Sequence, residues 1–120
     1  MSYWGYHLML DMHDCDRASM KDRNEVIAFC DDLVKQIDME AIGRPWVEQT
    51  AMHDSSKAGF TLTQIIQTSS IVAHFVDEPG DIYLDVFSCK HFDIATVENC
   101  VKYWFSPQKI RVNFITRHAG

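Results

Sequence analysis

Hydrophobic and polar residues follow two different periods along this chain. In residues 21–39 and 93–105, apolar side chains recur every three or four positions, which predicts two amphipathic helices. Other segments alternate or are rich in β-branched and aromatic residues, which predicts strands. The predicted strands are residues 3–12, 46–52, 60–68, 71–76, 82–87 and 109–116. The predicted order is therefore β-α-β-β-β-β-α-β.

This order predicts an α+β fold, a two-layer α/β sandwich in which two helices cover one face of a mostly antiparallel sheet. The chain has 120 residues, enough for one core, and no linker or low-complexity tract divides it, so a single domain over residues 1–120 is expected. One face of the sheet stays uncovered in such a fold. Because a second copy can cover an apolar face of this kind, a homodimer is expected.

Charge and composition restrict the partners. The formal net charge is -6 and the sequence pI is near 5.3, which argues against binding to nucleic acid or to an anionic membrane. No apolar run approaches the roughly 18 residues that cross a bilayer. The N-terminus lacks the basic start and cleavage site of a signal peptide. Four cysteines without a CxxC pair indicate reduced thiols and a cytoplasmic protein.

Common cofactor motifs are missing from the sequence. There is neither a GxGxxG segment nor a P-loop, which disfavours dinucleotide enzymes and P-loop kinases. The six histidines form no HxxxH or HExxH pair. Neither a metal nor a nucleotide cofactor is therefore expected.

Candidate chemistry is concentrated in residues 69–89, SSIVAHFVDEPGDIYLDVFSC, which is predicted as two short strands around an acidic turn. Ser69 opens the first strand, His74 lies on it, and Cys89 closes the second. Each of these residues alone is more often structural. A hydroxyl, an imidazole and a thiol in one hairpin indicate covalent chemistry.

The spacing in this hairpin resembles that of the bacterial S-adenosylmethionine decarboxylases, small pyruvoyl-dependent enzymes of polyamine synthesis. Their pattern has a serine, a histidine five residues later, a glutamate and a glycine in the turn, and then an aspartate, a phenylalanine and a cysteine. It falls without a gap on Ser69, His74, Glu78, Gly80, Asp85, Phe87 and Cys89. The N-terminal segment GYHLMLDMHDCD also resembles the first strand and acidic loop of the family.

The resemblance implies that the chain makes its own cofactor. The hydroxyl of Ser69 would attack the carbonyl of Thr68, and cleavage of the Thr68–Ser69 bond would leave a pyruvoyl group in place of the serine. That ketone forms a Schiff base with the amine of the substrate and accepts electrons as carbon dioxide leaves. By the same resemblance, His74 would move protons during self-processing, and Thr61 stands where the family has a serine that assists it.

The resemblance also implies the substrate and its contacts. S-adenosylmethionine would lose its carboxylate to become the aminopropyl donor for spermidine synthesis. Cys89 would return a proton to the substrate carbon, and Glu78 would bind the ribose hydroxyls. The family stacks adenine between aromatic rings, but the matching positions here are Ser55 and Val76. The neighbouring Phe60 and Phe75 are the expected replacements.

A second departure precedes the reactive serine, where the family almost always has glutamate and this chain has Thr68. Cleavage needs only a carbonyl in that residue, so threonine permits it. Two alternatives remain open beside the decarboxylase of S-adenosylmethionine. One is a pyruvoyl decarboxylase of another amino acid, such as ornithine or arginine, and the other is an uncleaved relative with a regulatory or ligand-binding role.

Overall fold

The computed structural model describes residues 3–120. Met1 and Ser2 lie outside the described residues, and so does that part of the N-terminus for which no signal peptide is expected. The described residues form one six-stranded sheet and three helices. The strands are β1 (Gly5–His13), β2 (Ala41–Thr50), β3 (Gly59–Ile66), β4 (Ser69–Val76), β5 (Asp81–Ser88) and β6 (Lys109–Arg117). The helices are α1 (Arg17–Met20), α2 (Arg23–Gln36) and α3 (Ile94–Phe105).

The strand order in the sheet is β2-β3-β4-β5-β1-β6, and neighbouring strands are antiparallel. The predicted α+β class and the predicted order of long elements are confirmed. The short helix α1 is an addition to the predicted elements and lies in the polar segment 13–20. Its side-chain cap is Asp16, which accepts a hydrogen bond from the backbone N–H of Ala18.

The core lies between the two long helices and one face of the sheet. Asp22 caps α2 and Asp93 caps α3 through their carboxylates, and each helix then presents an apolar stripe to the sheet. Alternate residues of the central strands point to the helices and are fully buried, as strand geometry requires. We call the opposite side of the sheet, which none of the described helices covers, the open face.

The segment after α2 differs from the prediction. The helix ends at Gln36 rather than Met39, and β2 begins at Ala41 rather than at the predicted residue 46, so residues 43–45 lie within the strand. Pro45 is tolerated there because β2 is an edge strand, where a missing N–H costs no ladder hydrogen bond. The pairing register shifts between Ile42 and Trp46, so the strand is irregular where glycine and proline occur. Within residues 3–120, no helix combines the length and the apolar character needed to cross a membrane.

Candidate active site

The peptide bond between Thr68 and Ser69 lies at the start of β4 in an unusual backbone geometry. Ser69 has a φ angle of +149°, a region that residues with a side chain rarely adopt. The carbonyl oxygen of Thr68 accepts a 2.9 Å hydrogen bond from the backbone N–H of Cys89. The hairpin register places Ser69 opposite Ser88, the residue before Cys89. The predicted cleavage bond and the predicted proton donor are therefore adjacent across two strands.

Cys89 differs from the other cysteines in its exposure. It follows the last residue of β5 and its side chain is exposed, whereas Cys15, Cys30 and Cys100 are buried. Burial raises the pKa of each of these three thiols to about 12. Cys89 is therefore the thiol that a small molecule can reach.

The structure brings Thr61 and His74 together on the open face. They are direct partners across β3 and β4, and Thr61 Oγ1 lies 3.4 Å from His74 Nδ1. Thr61 Oγ1 is also 2.7 Å from Thr50 Oγ1 on the edge strand. This chain of hydroxyls orients the imidazole, which can pass a proton to a group placed above it.

Ser69 and His74, however, are not neighbours within one chain. Both lie on β4, and five residues of strand at about 3.3 Å each separate their Cα atoms by about 16 Å. The predicted residues therefore form two groups at opposite ends of the sheet. We call Thr68, Ser69 and Cys89 the cleavage end, and Thr61, His74 and Glu78 the histidine end. The two-residue alternation and fixed rise of a strand could have revealed this separation from the sequence.

Glu78 lies in the turn between β4 and β5, beyond His74. Arg17 Nη2 donates hydrogen bonds to the backbone carbonyls of Glu78 and Pro79, at 3.4 and 2.8 Å. Gly80 has a φ of +73°, and a Cβ there would lie 2.6 Å from the guanidinium carbon of Arg17. The turn is thus tied to the first residue of α1, and the Glu78 side chain is left exposed.

The expectation that Phe60 and Phe75 face a ligand is wrong. Their side chains are 5% and 1% exposed and belong to the core under the helices. The reason is strand alternation: each directly neighbours a residue of the open face, Thr61 or His74, and so points the other way.

An aromatic group lies on the open face beside the cleavage end; the sequence pattern included Phe87 but did not predict this grouping. Phe87 is two residues before Cys89, and its ring centroid is 5.7 Å from that of Trp4 and 5.5 Å from that of His7. The guanidinium of Arg117 lies 5.1 Å from the centroid of the same ring. His7 Nε2 also lies within hydrogen-bond distance of Asp85 Oδ1, at 3.0 Å, so a polar contact holds the group as well. The sequence signal that could have revealed this group is the two-residue spacing of Phe87 and Cys89, which places both side chains on the same face of a strand.

Comparisons with known proteins agree with this arrangement. A family model described as S-adenosylmethionine decarboxylase matches residues 6–118. The chain belongs to this family, as the hairpin pattern predicted, and the predicted enzyme class is confirmed with it.

Individual relatives match over nearly their full length. An S-adenosylmethionine decarboxylase proenzyme from Clostridium botulinum strain Loch Maree is 31% identical over 118 residues, 98% of this chain and 97% of that protein. The corresponding protein of strain Langeland is 27% identical with the same coverage. The crystal structure of the adenosylmethionine decarboxylase from Aquifex aeolicus VF5 has a TM-score of 0.82, with 18% identity, and covers 100% of this chain and 95% of that one. At that identity, the likeness supports the fold.

Proposed function

We propose that this protein is an S-adenosylmethionine decarboxylase that generates its own pyruvoyl group by cleaving the Thr68–Ser69 bond. The observation that carries the proposal is the geometry at that bond. Ser69 is held at a φ of +149°, and the preceding carbonyl already accepts a hydrogen bond from the backbone N–H of Cys89. The relatives named proenzymes support the same conclusion.

The cleavage chemistry follows from these contacts. Ser69 Oγ adds to the carbonyl carbon of Thr68, and the charge that develops on the carbonyl oxygen is stabilised by the Cys89 N–H. The bond from that carbon to the Ser69 nitrogen then breaks, the hydroxyl proton passes to the nitrogen, and an ester replaces the amide. Loss of the Cα proton of Ser69 and departure of the Thr68 carboxylate split the chain. Hydrolysis of the resulting enamine releases ammonia and leaves the ketone.

The surroundings of Ser69 fit the pyruvoyl group that this cleavage would produce. When present, the group supplies an electron-accepting ketone that holds the electron pair released with carbon dioxide. Cys89 presents its exposed thiol at the neighbouring strand end and can return a proton to the substrate carbon. The same residue therefore assists cleavage through its backbone and turnover through its side chain.

A second copy of the chain would complete the site. Since the histidine end lies about 16 Å from the cleavage end, His74 and Thr61 act on the Ser69 of a partner in this proposal. A two-fold axis that lies between the open faces and perpendicular to the strands would place opposite ends of the two sheets together. The open face carries large apolar side chains suited to burial, with Ile65 56%, Tyr83 42% and Ile115 46% exposed. The proposed assembly is a homodimer with shared sites.

Substrate contacts would then come from both copies. Glu78, exposed at the histidine end, binds the ribose hydroxyls of the substrate held at the partner's cleavage end. Phe87 and Trp4, beside the cleavage end, offer the aromatic surface that Phe60 and Phe75 cannot. The product is the aminopropyl donor for spermidine synthesis, a reaction of the cytoplasm, where Cys89 is kept reduced.

The deciding experiment is the intact mass of the purified protein followed over long incubation. We expect two fragments divided at Thr68–Ser69, with a borohydride-reducible ketone on the C-terminal fragment. Release of carbon dioxide from S-adenosylmethionine, compared with ornithine and arginine, then identifies the substrate. A single uncut chain would contradict the proposal and favour the non-catalytic relative. Cleavage with release only from ornithine or arginine would contradict the substrate alone.

A further inference from the structure

Ser88 is a polar residue in an apolar row. The residues of β5 that face the helices are Ile82, Leu84 and Val86, which are at most 2% exposed, and then Ser88 at 0%. Burying a hydroxyl without a hydrogen-bond partner is destabilising, so its contacts account for its presence. Ser88 Oγ donates a 2.7 Å hydrogen bond to Thr68 Oγ1 and accepts one of 3.0 Å from the backbone N–H of Lys90. Both its donor and its acceptor capacity are thus used.

The partner of Ser88 is the residue whose carbonyl is attacked. Thr68 Oγ1 accepts from Ser88 and lies 3.4 Å from Met39 Sδ, to which its own hydroxyl points. The carbonyl of Thr68 is held by the N–H of the next residue, Cys89. Ser88, the last residue of β5, therefore holds Thr68 by its side chain, and Cys89, which follows it, holds Thr68 by its backbone.

We infer that Ser88 is a positioning residue for self-cleavage, acting through the hydroxyl of Thr68. With its side chain fixed by Ser88, Thr68 cannot rotate its carbonyl away from the Cys89 N–H, and the carbonyl carbon stays in place for attack by Ser69. Correct placement of reacting groups lowers the barrier because little rotational freedom is left to lose. The role of Ser88 presupposes the proposed self-cleavage and adds a residue to it.

The contact also explains how threonine serves at this position. A longer acidic side chain stands before the reactive serine in the family pattern, whereas Thr68 is short and half-buried. The strand register sets Ser88 opposite Ser69 and so within reach of Thr68. The Ser88–Thr68 hydroxyl pair therefore supplies an anchor that needs no carboxylate.

The test is the first-order rate of cleavage of freshly made chain, measured by intact mass. Thr68→Val keeps the shape and removes the hydroxyl, and Ser88→Ala removes its partner. Each should slow cleavage roughly tenfold, the effect of losing one hydrogen bond that orients the reacting carbonyl. The single variants Thr68→Ser and Ser88→Thr retain a hydroxyl and should cleave at most of the wild-type rate. Thr116→Val on the edge strand β6, outside both site groups, is the matched control and should cleave as the wild type does.

A double variant separates positioning from general destabilisation. If Ser88 acts through Thr68, then Thr68→Val/Ser88→Ala should cleave no more slowly than the slower single variant, because both changes remove the same contact. Additive losses, or single variants that cleave at the wild-type rate, would overturn the role of Ser88 while cleavage of the wild type still supports the proposed function. Failure of the wild type to cleave would instead overturn the proposed function itself.

Discussion

The backbone N–H of Cys89 donates a 2.9 Å hydrogen bond to the carbonyl oxygen of Thr68, while the Cys89 thiol remains exposed. One residue is therefore placed for two different steps. In the proposed mechanism the backbone donor serves the attack by Ser69, and any residue with an N–H can provide it. The thiol would then be free for the later transfer of a proton to the substrate.

Replacing Cys89 should accordingly separate cleavage from turnover. In Cys89→Ala the N–H remains, so we expect cleavage at a rate near that of the wild type. Decarboxylation should fall about 10²–10⁴-fold, the usual contribution of a positioned acid. Intact mass reports the first quantity and carbon dioxide release the second. Ser69→Ala is the control that should abolish both, and a Cys89→Ala chain that stays uncut would show that the thiol itself takes part in cleavage.

Cleavage across two copies can be tested by mixing defects. His74→Ala should remain uncut when it is expressed alone, because neither chain of the pair then carries a histidine at position 74. Ser69→Ala should remain uncut because the nucleophile is missing. Co-expression of the two should yield mixed pairs in which an intact Ser69 meets an intact His74 of the other copy. We expect cleavage of the His74→Ala chain in that mixture.

The two chains can be distinguished by a mass tag, so the cut product is assigned without separation. As a control, His74→Ala co-expressed with His74→Ala/Ser69→Ala should give no product. If the tagged His74→Ala chain is still intact beside Ser69→Ala while wild type is cut, the two ends do not meet across copies. Cleavage of His74→Ala by itself would remove His74 from the processing step.

The sequence was sufficient for the fold, and its limits are instructive at particular residues. Alternation and helical periods predicted the order of the long elements because each element has one buried face. Because of Pro45, the start of β2 was predicted too late in the chain, since the rule against proline in a strand does not hold at a sheet edge. Phe60 and Phe75 were misplaced because adjacency in sequence puts strand residues on opposite faces. The Ser88–Thr68 contact joins residues twenty positions apart through hairpin register, which composition and spacing do not specify.

Thiol chemistry offers a check on the site that does not depend on activity. Burial raises the pKa of Cys15, Cys30 and Cys100 to about 12, so almost none of these thiols is ionised at pH 8. A disulfide reagent should therefore label one thiol of the native protein quickly and all four after denaturation. Cys89→Ser should lose the rapid reaction and keep the slow ones. Rapid labelling of a second thiol in the native protein would contradict the buried placement of the other three.

Asp77, at the end of the β4–β5 hairpin, should weaken the fold at neutral pH. Its Oδ1 is buried without a hydrogen-bond partner, and burial raises the pKa of this carboxyl above its usual value near 3.8. A carboxyl with a raised pKa in the folded state destabilises the protein when ionised. That cost is absent below the unfolded-state pKa and is complete above the folded-state pKa. Asp77→Asn should therefore stabilise the protein at pH 7, because the neutral amide removes the charge that burial penalises.

Urea unfolding at pH 7 and at pH 3 measures this difference. The stabilisation by Asp77→Asn should be present at pH 7 and vanish at pH 3, where the wild-type carboxyl is protonated. Asp54 is the matched control of opposite sign, because hydrogen bonds from the hydroxyl and the backbone N–H of Ser56 lower its pKa. Asp54→Asn should destabilise the protein at pH 7, and that loss should shrink as the pH falls through the folded-state pKa of Asp54. A wild type more stable than Asp77→Asn at pH 7 would mean that the Asp77 carboxylate gains more from Lys21, which lowers its pKa, than it loses by burial.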